Sequence, residues 1–248
     1  MQATKLGRKL QYLIVAAVLG VAPTCFAAET ASMTLTGVGT NGALGGVYVG
    51  PYVGTIDTVK TQLICDDFAD ESYIPESWTA DVYSLSDYTS LRFYNSSNPS
   101  ATQIGYEEVA WLSQQLTNQS LGLATAISCT TTSSINCAGD IQYAIWAVFS
   151  SPAALNQLSS GDPNRTNAQA WLDQAALQYS TGDYSNVSIY TAVPGTAMCG
   201  TVHCPSSPLT PQEFVVVRTP EPPGLAVLGI DFSAIGVLIL FFRRKITN

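Results

Sequence analysis

Gly139 to Pro152 reads "GDIQYAIWAVFSSP", and the class of fold turns on whether this stretch is a helix. Ile141, Ala144, Ile145, Val148 and Phe149 recur at helical spacing and make one apolar face. Asp140 suits an N-cap, and Pro152 stops the segment. On that reading Gln142 is an uncharged polar side chain in the first turn of an otherwise apolar helix. Backbone N–H groups are unpaired there and the helix dipole is positive. The spacing predicts a helix with one odd residue, and that residue asks for a partner.

Two further helices are expected beside it. "YEEVAWLSQQL" (106–116) places Val109, Leu112 and Leu116 on one face, with Glu107 and Glu108 in a first turn where acids suit the dipole. Those two acids are consecutive, so they point apart and cannot act as a paired acid and base. "NAQAWLDQAALQY" (167–179) follows the loop "SSGDPNRT" and carries Trp171, Leu172, Ala175 and Tyr179. Strands are expected on both sides of the helices. "ASMTLTGVG" (31–39), "GGVYVGPYVGTI" (45–56), "TQLICDDF" (61–68) and "SWTADVYSLSD" (77–87) come before them, and "NVSIYTAV" (186–193) and "EFVVVR" (213–218) after. The expected class is α+β, antiparallel sheets or a sandwich with about three inserted helices and no internal repeat.

The chain ends carry export signals. Lys5, Arg8 and Lys9 precede an apolar run from Leu10 to Val21, then Pro23 and "TCFAAE". That is the layout of a secretory signal peptide over 1–27, cleaved after Ala27; as a membrane anchor the run is short. Cys25 lacks the preceding leucine and small residue that lipidation needs. At the other end, "TPEPPGLAVLGIDFSAIGVLILFFRRK" joins a stiff linker to an apolar run over 224–242 and a basic tail. Nineteen residues make roughly 28 Å of helix, about the thickness of a bilayer core. Asp231 opposes insertion by about 2.5–3.5 kcal/mol, while twelve Leu, Ile, Val and Phe residues favour it by roughly 4–7 kcal/mol. A transmembrane helix is therefore expected, with its basic end in the cytoplasm.

Pro220-Glu221-Pro222, the helix, and Arg243-Arg244-Lys245 together resemble a PEP-CTERM sorting signal over 220–248. The resemblance implies a Gram-negative surface or extracellular-matrix protein, anchored as a precursor and processed by an exosortase-type membrane protease. An ordinary tail anchor is the competing reading.

Between the signals, 28–219 has the length of one extracytoplasmic domain. It holds sixteen acids against four bases, Lys60, Arg92, Arg165 and Arg218, a formal charge of −12. Such a surface excludes nucleic acid and anionic lipid as partners. The many Thr, Ser, Asn and Tyr residues are compatible with a sugar-rich exterior.

With Cys25 removed, five cysteines remain. "CTTTSSINC" (Cys129, Cys137) and "CGTVHC" (Cys199, Cys204) are short spans able to close on themselves in an oxidising compartment, though other pairings are open. If both close, Cys65 is left over, either for an intermolecular link or as a thiol with a task. Attack of that thiol on the Gln142 carboxamide would expel ammonia and leave an internal thioester, its oxyanion held by the helix N-terminus. Phe68, Tyr143 and Trp146 are candidates to shield the bond from water. "LICDDF" followed by "DIQYAIW", with "EEVAWLSQQL" between, resembles the bacterial surface thioester domain over about 46–149. There a cysteine and a glutamine, here Cys65 and Gln142, form a thioester that captures surface amines. A buried cysteine beside a backbone-bonded glutamine is the competing structural reading.

Weaker signals point elsewhere. Asp66, Asp67, Asp70 and Glu71 are hard oxygen ligands, yet their spacing fits no EF-hand loop. His203 between Cys199 and Cys204 lacks a visible fourth zinc ligand, and export favours a disulfide there. A hydrolase from Cys65, His203 and an acid has no local signature to support it. The expectation is a non-enzymatic, cofactor-free protein for adhesion or association with extracellular polysaccharide or surface amines. The alternative is a secreted hydrolase or a carbohydrate-binding module without a thioester.

Overall fold

A computed structural model describes residues 29–128, 134–200 and 210–219. The signal peptide, Cys129, His203, Cys204 and the sorting signal with its 224–242 run lie outside them. Among the described residues no helix is long and apolar enough to cross a membrane.

The described residues form nine strands: β1 Glu29–Gly37, β2 Ala43–Leu44, β3 Val47–Tyr48, β4 Tyr52–Ile56, β5 Val59–Cys65, β6 Glu76–Tyr83, β7 Val187–Ala192, β8 Met198–Cys199 and β9 Phe214–Val217. Four helices lie between β6 and β7: α1 Pro99–Ser120, α2 Ser134–Ser150, the single turn α3 Ala153–Asn156, and α4 Pro163–Gln178. The α+β class therefore holds, with the helices inserted between the strands.

The sandwich is replaced by a barrel. Six antiparallel strands run β1-β4-β5-β9-β7-β6, and β1 also pairs with β6, which closes the ring. Closure comes from β1. Its Glu29–Leu35 stretch pairs with β6, its Met33–Gly37 stretch pairs with β4, and an irregularity between Leu35 and Gly37 bends it from one neighbour to the other. Alternating Ala31, Met33 and Leu35 point inward on β1, as do Trp78 and Ala80 on β6. One buried face per strand is common to sandwiches and barrels, so alternation alone did not separate them.

A tight hairpin sets the register of β5. Asp57 and Thr58 both have positive φ, 48° and 74°, the backbone that a two-residue hairpin turn requires. Val59 then pairs with Ile56, and Leu63 with Tyr52, which brings Cys65 to the last position of the strand.

α2 divides two cores. Tyr143, Trp146 and Ala147 face the barrel interior with Met33, Leu63, Cys65 and Phe214. Cys137, Ile141, Ala144 and Ile145 face α1 and α4, with Val109, Leu112 and Trp171. The helical face read from 141–149 is this second one.

Two helix starts differ from expectation. α2 begins at Ser134, so Asp140 is not its N-cap and Gln142 lies in its third turn. Residues 137 and 138 continue the apolar face of Ile141, which extends the helix back through a span that reads as turn. Gly139 is tolerated within it because a Cβ there would come within 2.6 Å of Leu44 Cδ2. α1 likewise begins at Pro99, with the Asn98 side chain accepting from Ala101 N, so Glu107 and Glu108 are past its first turn.

Candidate functional site

Cys65 ends β5 opposite Phe214 of β9 and is fully buried. Its Sγ donates to the Asp67 carbonyl at 3.1 Å. Burial pushes the thiol well above its usual range, and Asp66 and Asp67 add to this. The neighbouring Trp146 side chain works the other way, although among the described residues its indole nitrogen has no hydrogen-bond partner.

Gln142 meets this strand end. Its side chain is fully buried, and Nε2 donates to the Cys65 carbonyl at 2.6 Å. Among the described residues Oε1 has no hydrogen-bond partner. It lies over Gly50, where a Cβ would come within 2.4 Å of it. The carboxamide is thus held by one end, with its acceptor left over in an apolar place. Trp146, one turn on, is met by Phe68 at 5.3 Å and edge-on by Tyr143 at 5.1 Å between ring centroids. Tyr143 OH donates to the Leu44 carbonyl at 2.9 Å, which fixes that ring. Tyr52 OH donates to the Tyr48 carbonyl at 2.7 Å on the remaining side.

Cys65, Gln142, Phe68, Tyr143 and Trp146 therefore lie together at one end of the barrel. The donors once expected from a helix N-terminus do not. In its third turn Gln142 is far from the unpaired N–H groups. A cleft of about 390 Å³ lies beyond Trp146 and Phe68, lined also by Tyr48, Asp70, Glu71 and Gln212.

The acid cluster is dispersed among partners. Arg92 binds Asp67 Oδ2 at 3.0 Å and also pairs with Asp70, while Asp66 is buried away from solvent. Among the described residues no group of three or more His, Cys, Asp or Glu side chains could hold a metal ion. Cys137 and Cys199 are disulfide-bonded and Cys65 is free; the candidate mates Cys129 and Cys204, and the hydrolase candidate His203, lie outside the described residues.

Gly50, Asp66 and Glu213 went unrecognised as site neighbours. Acids flanking apolar strands, in "LICDD" and "QEFVVV", were the available signal for the last two. Scans against known families, curated proteins and solved structures returned no significant match.

Proposed function

We propose that this is an exported surface or matrix protein in which Cys65 and Gln142 form an internal thioester. The reading rests on one observation: the buried Gln142 carboxamide is held on the Cys65 carbonyl at 2.6 Å, with its own oxygen unpartnered. In the reaction, the Cys65 sulfur adds to the Gln142 carboxamide carbon. The S–C bond forms, the C–N bond breaks, and the nitrogen leaves with the thiol proton as ammonia. The aromatic wall of Phe68, Tyr143 and Trp146 limits water, the nucleophile that would waste the bond. An outside amine or hydroxyl entering by the cleft would take the acyl group and return the thiol, once per molecule. Export, tail anchoring and exosortase-type processing complete the proposal and draw their support from the two ends of the sequence.

Intact mass of the purified protein tests it. The mass is expected to be one ammonia short, beyond the hydrogens lost to disulfides, and Cys65→Ala restores it. Methylamine adds to the wild type and frees one thiol. A full-mass protein with one reactive thiol assigns the pair a purely structural role. Repeated turnover of a substrate would instead make the protein an enzyme.

A further inference from the structure

Ile64 and Cys65 of β5 pair with Val215 and Phe214 of β9. One step on in the same register, Asp66 stands opposite Glu213, its N–H 3.4 Å from the Glu213 carbonyl. Both residues are fully buried. Like charges set opposite each other on adjacent strands repel. Glu213 has donors: Tyr106 OH on Oε1 at 2.6 Å, and on Oε2 the Arg92 N–H at 3.2 Å and the Thr191 hydroxyl. Among the described residues Asp66 has no donor on either carboxyl oxygen. A bare carboxylate in such a place is costly. One proton on Asp66 removes the charge and supplies the donor that the pair lacks.

Among the described residues the surroundings offer no other compensation. Tyr106 of α1 and Tyr83 of β6 face Glu213 with neutral hydroxyls, and Asp67 and Cys65 flank Asp66. The Arg92 guanidinium is turned to Asp67, Asp70 and the Pro211 carbonyl. Burial pushes both carboxyls above the ordinary range; the facing Glu213 adds to this for Asp66, and the Thr191 and Tyr106 hydroxyls restrain Glu213.

We propose that Asp66 and Glu213 form a single-proton latch: the shared proton holds the end of β5 against β9, and its loss lets that end open and uncover Cys65. The latch is independent of whether the thioester forms. Because both groups are raised on folding, its stabilisation is complete below about pH 4 and is lost as pH rises through the folded values.

Hydrogen exchange of the full chain tests it, read at the amides of Ile64–Asp67 from about pH 5 to about pH 8 and corrected for intrinsic rates. In the wild type, protection there is expected to fall about tenfold more than at Met33 of β1. Asp66→Asn, whose amide donates to Glu213 at every pH, holds the protection level, and Glu213→Gln does so from the other strand. Asp140, Glu76 and Asp67 titrate in all three proteins and cancel in the comparison. Equal pH slopes in wild type and variants would overturn the latch. If neither variant folds, equal slopes at Ile64–Asp67 and Met33 in the wild type overturn it alone.

Discussion

Gln142 and Asp140 stand two residues apart on α2, both buried, each with one polar atom unpartnered. Gln142 faces the barrel, gives its N–H to Cys65 and is walled by aromatic rings. Asp140 faces α4, where Oδ2 accepts from Asn167 Nδ2 at 2.9 Å and Oδ1 accepts from none of the described residues. Burial pushes its carboxyl up to about 7. The amide carries no charge at any pH, so its environment can stay dry and fixed. The carboxyl sits where solvent conditions decide its state. For the proposed thioester a carboxamide in a dry place serves better than an acid, and α2 separates the two by face.

The largest test of this contrast is Trp146→Ala. The ring is 2% exposed and joins the Phe68 and Tyr143 contacts, so truncation should cost about 3–5 kcal/mol in urea unfolding. It should also speed hydrolysis of the proposed thioester, seen as a full-mass protein with a titratable thiol. A loss below about 1 kcal/mol would mean that the barrel face of α2 is not a packed wall. Gly50→Ala comes next. Its methyl would meet Gln142 Oε1 at 2.4 Å and displace the carboxamide from Cys65. The expected loss is about 1–3 kcal/mol, together with loss of the ammonia deficit. Gly161→Ala, with nothing within 4 Å of the added atom, is the matched control and should change neither.

Legibility in the sequence followed period and failed at closure and at helix starts. Alternation placed β1, β5 and β6, because one buried face per strand is written in every second residue. Ring closure depends on β1 pairing along both edges, and no local pattern carries that. The α2 face over 141–149 was legible, while its start was not. Apart from Ile135, the residues from 134 to 140 are small or polar and look like turn, and their helical state comes from packing of Cys137 and Ala138 on α1 and α4. That error moved Gln142 into a first turn and credited it with donors it lacks. The Gln142 carboxamide still meets the Cys65 carbonyl, since that contact depends on which face of the helix Gln142 occupies.

The smallest expected effect lies on the other face. Asp140 folds with its carboxyl raised to about 7 against an ordinary value near 4, so the folded state binds the extra proton between these limits. Stability should therefore fall as pH rises from about 4 to about 7, and level off above. Asp140→Asn keeps an acceptor for Asn167 and cannot ionise. Its unfolding midpoint should match wild type near pH 4 and exceed it above about pH 7, leaving a flatter profile. The ammonia deficit should be untouched, because the side chain points toward α4 and away from Cys65. Parallel midpoint curves would show that ionised Asp140 is solvated where it stands. The contrast with Gln142 would then reduce to exposure, with charge playing no part.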